Sequence, residues 1–152
     1  MPSLADDADA LYDAATAFIR TYQFRSRDQA LKHDLTVAQA YTLDVLLTCG
    51  GTSLNGVAQA LRLDKSTTSR IVAGMERSGL VEWSRPDHDQ RAKQIVASRE
   101  GRRRYGRLRR AIVRDNVGLL AAYSPAERAA VIRALHQLAL RAQIPDPRSP
   151  DP

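Results

Sequence analysis

Apolar residues recur along this chain at helical intervals almost from end to end. In residues 7–32, Leu11, Ala15, Phe18 and Tyr22 follow one another at spacings of four, three and four, which predicts a first helix. Thr36, with Gln39 three residues later, is a capping-box pattern ahead of Leu43, Leu46 and Leu47. It predicts a second helix, broken at Gly50-Gly51. Ser53 can cap a short third helix over 54–61, with Leu54, Val57, Ala58 and Leu61 on one face. Asp64 can cap a fourth that runs to Ser78 and stops at Gly79, a residue suited to the left-handed conformation. The period then changes. LVEWS and KQIVAS are short β-favouring segments around the charged loop RPDHDQRA, and they predict a two-stranded hairpin. Ser98 can cap a long helix from about 99 to 122, and Ser124 with Glu127 frames another capping box around Pro125. Ile132, Leu135, Leu138 and Ala142 make that last helix amphipathic. The ending PDPRSPDP is proline-rich and expected to be disordered.

Both ends of this order are helical and carry long apolar stripes. Flanking a compact middle, such stripes are most economically buried against a second copy of the chain; the alternative is that they pack on themselves. A length of 152 residues suits one domain with its own core. Hydrophobic content of 43% with only 5% aromatic favours packed helices over a β-sandwich. Cys49 is the single cysteine, which excludes an internal disulfide framework and fits a reducing cytoplasm. No run of about 18 apolar residues exists, and the start MPSLADDADALYD is acidic where a signal peptide would be basic. A cytoplasmic protein with no membrane partner is expected.

The net charge of +6 is unevenly spread. Residues 62–110 hold fourteen Lys or Arg against six Asp or Glu, and the remainder nine against eleven. A basic middle points to a polyanion partner, nucleic acid ahead of membrane, or else to a solvated basic face. On a helical wheel over 65–78, Thr68, Ile71, Val72 and Met75 share one side, and Ser66, Ser69, Arg70, Ala73 and Arg77 the other. The run of four hydroxyls therefore splits: Thr68 turns inward, while Ser66 and Ser69 face out beside Arg70. Small outward residues let a helix approach a surface closely. Arg70 can then pair with guanine edges or phosphate, and the helix N-terminus adds phosphate affinity. Two short helices joined at RLDK form a helix–turn–helix whose second member would enter the major groove.

Residues 35–101 resemble the MarR family of winged helix–turn–helix regulators. The resemblance is carried by LT-x-x-QA at 35–40, by LDKSTTSRIVAGMERSGLVEW, by DQRA at 89–92 and by SREGRR at 98–103. It implies a mainly α fold with a small β-wing, that is, a winged helix–turn–helix with a flanking helical dimerisation region. The corresponding divisions are an N-terminal dimerisation helix (1–34), a DNA-binding lobe (35–98), C-terminal dimerisation helices (99–144) and a disordered tail (145–152). It also implies a homodimer on double-stranded DNA at a pseudo-palindromic operator, more often repressor than activator. Arg91 would reach the minor groove, and Asp89 would hold the wing loop by pairing with a nearby arginine. Three positions depart from the family pattern: Gln90 stands for the first wing arginine, Thr68 for an aliphatic residue and Gly56 for a common glutamate.

The expected DNA-contacting set is Ser66, Thr67, Ser69 and Arg70 in the major groove, Lys65 and Arg77 on phosphates, and Asp89 and Arg91 at the wing. Family members often bind small phenolic or aromatic acids between the dimer region and the DNA-binding lobe. Tyr22, Arg25, His33 and Tyr41 have suitable chemistry, or are ordinary packing and rim residues. His33, His88 and His136 lie far apart without a metal-ligand spacing, and no nucleophile–base pair or phosphate cradle stands out. No metal, no cofactor and no enzymatic activity are expected. With no Lys, Arg or His within ten residues, Cys49 reads as buried and inert rather than as a redox sensor. Trp83 reads as packing, and RRRYGRLRR at 102–110 as a solvated helix face with a secondary electrostatic role. Two further readings stay open: a winged-helix docking module for protein, and a redox-responsive regulator acting through Cys49.

Overall fold

The computed structural model describes Met1 and residues 3–86 and 92–142. They form six helices and one hairpin: α1 (Leu4–Lys32), α2 (Val37–Cys49), α3 (Leu54–Leu61), α4 (Lys65–Arg77), β1 (Val81–Ser84), β2 (Gln94–Ala97), α5 (Arg99–Leu120) and α6 (Pro125–Ala142). Side-chain caps set most of the starts. At α2, the Gln39 amide donates to Thr36 Oγ1 at 3.2 Å while the Thr36 amide donates to Gln39 Oε1 at 2.9 Å. The Ser53 hydroxyl accepts from the Gly56 amide at 3.1 Å to open α3. α1 begins earlier than the apolar spacing predicts, at Leu4 rather than near residue 7. The cause is a capping box within the acidic start: Asp6 Oδ2 accepts from the Ser3 amide at 2.7 Å, and Ser3 Oγ accepts from the Asp6 amide at 3.2 Å. Asp6 also suits the positive end of the helix.

The described residues divide into two compact units, one up to Ile112 and one from Val113. The first holds the core. Leu43 and Leu46 of α2, Val57 of α3, and Val72 and Met75 of α4 meet Leu80, Val81, Ile95, Ala97 and Leu108, all essentially inaccessible to water. Leu43 and Leu46, and Val72 and Met75, recur at helical spacing, and Ile95 and Ala97 at strand spacing. The strands are antiparallel in the register Val81↔Ala97 and Trp83↔Ile95. Thr52 extends this sheet by one rung, exchanging amide bonds with Ile95 at 3.1 and 2.7 Å. α3 and α4 are joined by a turn in which Arg62 takes φ 52°, a left-handed conformation uncommon for a side chain of this kind. Gly50 ends α2 in the same region, at φ 73°.

In the second unit, Ser124 and Glu127 form the expected capping box at the start of α6. No residue of α6 is buried. Val131, Ile132, Leu135, Leu138 and Leu140 are exposed, as are Leu4, Leu11, Tyr12, Phe18 and Phe24 on α1. No helix among the described residues is long and apolar enough to cross a membrane.

Candidate nucleic-acid interface

α4 presents two unlike faces. Thr68, Val72 and Met75 are buried, whereas Lys65, Ser66, Ser69, Arg70 and Arg77 are exposed. The hydroxyl run therefore divides as its periodicity predicts. Thr68 is fully buried, and its Oγ1 donates to the Asp64 carbonyl at 2.8 Å. That bond satisfies the hydroxyl within the helix and leaves the methyl group for the core.

Thr67 lies between the faces, half-buried, and its hydroxyl is committed. It donates to Asp64 Oδ2 at 2.6 Å, while its amide donates to Asp64 Oδ1 at 2.7 Å. These bonds hold the Asp64 carboxyl below the usual carboxylate range, the hydroxyl having the larger effect and the amide the next. The start of α4 thus already carries an anion of its own, and the Thr67 amide is not available to phosphate. Of the polar residues assigned to this helix, Lys65, Ser66, Ser69, Arg70 and Arg77 are brought to the surface, and Thr67 is held as part of the cap. Asp89 and Arg91, with Gln90 and His88, lie outside the described residues.

The far end of α4 is fastened to α5. Ser98 Oγ donates to the Gly79 carbonyl at 2.6 Å and accepts from the Gly101 amide at 3.0 Å, and the Ser98 amide donates to the Leu80 carbonyl at 3.0 Å. Gly101 is buried, and a Cβ there would stand 2.1 Å from the Leu80 oxygen. Periodicity alone gives no sign of this close approach. Beyond it, Tyr105 donates to Asp44 Oδ1 across α5 and α2. Burial first, then the hydrogen bond and charge of Asp44, push the Tyr105 phenol well above its ordinary value.

The four residues with ligand chemistry do not converge. A cleft of about 560 Å³ lies between α1 and α2, lined by Ile19, Phe24, Val37 and Tyr41 with Arg20 and Arg27 among its polar members. Tyr41 is one of the four; Tyr22, Arg25 and His33 are not on this wall. Tyr22 stacks on Phe18 with ring centroids 5.3 Å apart, and His33 ends α1 as its cap. The Arg27 guanidinium stands 5.8 Å from the Phe24 ring centre. Arg20, Phe24 and Arg27 follow one another at four and three residues, a signal present in the sequence and passed over there. Among the described residues no group of three His, Cys, Asp or Glu is placed to hold a metal ion.

Two side chains are more exposed than expected. Cys49 is exposed rather than buried, because α2 ends at this residue, one turn past its last buried position, Leu46. Trp83 shares the inward register of Val81 and Ile95 yet remains 43% exposed; it lies toward the loop end of the hairpin, away from the buried Val81–Ala97 pair. In RRRYGRLRR, Leu108 is buried and Arg102, Arg103, Arg109 and Arg110 are exposed.

A sequence profile of the MarR family matches residues 33–92. Over that stretch the chain is similar to the MarR family. The matched stretch takes in α2, α3, α4 and β1, the parts that build and present the exposed face of α4. The chain is 33% identical over 99 residues to the HTH-type transcriptional regulator TtmR of Methylorubrum extorquens (strain PA1), covering 65% of this chain and 49% of that one. It therefore spans about half the length of the curated relative it matches. Its fold is similar to a MarR family protein from Bacillus stearothermophilus, with TM-score 0.85 at 23% identity over 94% of this chain and 100% of that one. It is also similar to a MepR variant of S. aureus bound to an oligodeoxyribonucleotide, with TM-score 0.60 at 21% identity over 87% of this chain and 98% of that one. Gly56, a departure from the MarR pattern, has a local reason: a Cβ at residue 56 would stand 2.1 Å from Thr52 Oγ1.

Proposed function

We propose that this chain is a DNA-binding transcriptional regulator that acts as a homodimer at a pseudo-palindromic operator in the cytoplasm. The observation that carries the reading is the division of α4. Its core side is fully buried, and a low-profile face of Ser66, Ser69 and Arg70 is left to solvent between Lys65 and Arg77. Such a helix enters a major groove closely, with Arg70 donating to guanine O6 and N7 and the serines to bases or phosphates. Arg91 would reach the minor groove from the wing, whose shape Asp89 would help to set. The MarR-family match over 33–92 and the regulator role in the name of the TtmR relative support this assignment. The exposed apolar side chains of α1 and α6 support a second copy as the partner that covers them. No catalytic or cofactor role is assigned.

The finer reading is a repressor released by a small aromatic acid. The α1–α2 cleft supports it, because Arg20 and Arg27 offer cations beside Phe24 and Tyr41. Replacing Arg70 by alanine should relax operator specificity and cost about 1–3 kcal/mol of binding. Unchanged affinity and specificity by fluorescence anisotropy would reject the groove assignment. Failure to be retained on random duplex DNA at low salt would favour a protein-docking module instead. Exposure of Cys49 favours one second reading, a regulator released by oxidants. An oxidant response unaltered in Cys49→Ser would exclude it.

A further inference from the structure

The start of α5 holds a concentration of charge that the α4 face does not use. Arg99, Arg102, Arg103, Arg109 and Arg110 are all exposed. At roughly 100° per residue they fall, with Gly106, in one stripe opposite the buried Gly101, Leu108 and Ala111. From Arg99 to Arg110 that stripe is about 16 Å long at the helical rise. Glu100 is the one acidic residue in its path, and it is taken by Arg103 and Arg104, each at 2.7 Å. Among the described residues no ion pair ties Arg99, Arg102, Arg109 or Arg110 to a carboxylate.

Gly106 lies at the middle of the stripe. A glycine inside a helix weakens it relative to alanine, and nothing in the chain requires one here. A Cβ would meet only Arg110 Nη1, at an ordinary 3.5 Å. A bare patch ringed by guanidinium groups suits a broad anionic surface brought close to the helix. An identical stripe from a second copy would be repelled. The stripe is also continuous with the DNA-facing lobe, since Ser98 binds the first turn of α5 to the Gly79 carbonyl at the end of α4.

We propose that the Arg99–Arg110 stripe binds the phosphate backbone of duplex DNA flanking the site that α4 reads. The inference rests on the DNA-binding reading above and adds a second contact surface to it. Duplex DNA carries one negative charge per ~1.7 Å of axis, so a stripe of this length faces several phosphates. Arginine forks pair with phosphate oxygens without regard to sequence.

The test compares two duplexes: the shortest that retains binding when a genomic fragment selected by the wild-type protein is trimmed, and the same core with about one helical turn of arbitrary sequence added at each end. The triple variant Arg99→Gln, Arg102→Gln, Arg110→Gln is measured beside the wild type, with circular dichroism to verify its helix content. Wild type should bind the extended duplex about tenfold or more tighter than the core. The variant should match wild type on the core and lose that gain. Its salt slope on the extended duplex should fall by about 0.9 for each phosphate contact removed. Equal wild-type affinity for the two duplexes, or a full gain retained by the variant, overturns the stripe while leaving the α4 assignment standing. Failure of the wild type to select any genomic fragment above random duplex overturns the DNA reading itself. A variant that keeps the gain but sediments as a smaller species assigns the stripe to protein contact, which also overturns the inference.

Discussion

Replacing Gly101 by alanine adds one methyl group to the first turn of α5, where a surface alanine would ordinarily strengthen a helix by about 1 kcal/mol. Here the added carbon would lie 2.1 Å from the Leu80 oxygen, 3.1 Å from its carbonyl carbon and 3.0 Å from Leu43 Cδ2. An ordinary carbon–oxygen approach is about 3.3–3.6 Å, so α5 and the Leu80 backbone must part by more than an ångström. Leu80 has little room to yield. It is buried, its amide donates to the Met75 carbonyl at 2.8 Å, and its carbonyl accepts from Ser98 at 3.0 Å. Overpacking of this kind costs about 3 kcal/mol at the upper end of its range, and loss of the Ser98 bond costs about 1 kcal/mol more. After the propensity gain, a net destabilisation of about 2–3 kcal/mol is expected, or roughly 5–10 °C in Tm for a domain of this size. Urea unfolding at one fixed protein concentration measures it. Gly106→Ala on the same helix is the internal control and should be neutral or stabilising by up to about 1 kcal/mol. If Gly101→Ala unfolds at the wild-type midpoint or later, the close approach to Leu80 is not what keeps glycine there.

Three further outcomes follow from the hydrogen bonds of the same lobe. Because the folded state holds the Asp64 carboxyl low, its capping contribution is present above the ordinary carboxylate range and disappears as pH falls through the folded value. Asp64→Asn keeps a cap without the titration, so its urea midpoint relative to wild type should stay constant above about pH 5 and improve below it; a parallel pH dependence would contradict the assignment. For Thr68, the Asp64 carbonyl also accepts the Thr68 amide at 3.0 Å. Thr68→Val should therefore be tolerated, whereas Thr68→Ser, which deletes the buried methyl, should cost about 1 kcal/mol by chemical denaturation. The reverse order would mean that the hydroxyl matters more than the methyl. Tyr105→Phe should cost about 0.5–1.5 kcal/mol at neutral pH through loss of the Asp44 bond. The raised phenol contributes stability that is full below the ordinary tyrosine range and lost as pH rises through the folded value. The alkaline fall of the unfolding midpoint should accordingly flatten in that variant.

What was legible in the sequence was whatever depends on period and caps. Thr36, Ser53, Asp64 and Ser124 mark the helix starts where hydroxyl and carboxyl groups do cap them. The inward turn of Thr68 follows from 100° per residue and nothing else. The missed start of α1 had the same kind of signal, Ser3 and Asp6 three apart, hidden in a run read only for its charge. Features that depend on contact between distant elements were not legible. Gly101 against Leu80 and Tyr105 on Asp44 each need two segments already docked. Cys49 and Trp83 were placed by residue preference, and both are exposed near the ends of their elements, Cys49 as the last residue of α2 and Trp83 at the loop end of β1. The cleft residues Arg20, Phe24 and Arg27 share a spacing, but that spacing on α1 fits a packed face as well as a lined one.

α6 spans eighteen residues without a single buried one, and a helix of that length is only marginally stable by itself in water. Its amide protons therefore time something other than the opening of the core. Exchange in α4, packed through Val72 and Met75, reports opening of the core of residues 1–112. Exchange in α6 reports how long Val131, Ile132 and Leu135 stay covered, so it should quicken as the protein is diluted if a second copy does the covering. One hydrogen-exchange series across concentrations would thus give this chain two separate clocks, one for folding and one for assembly.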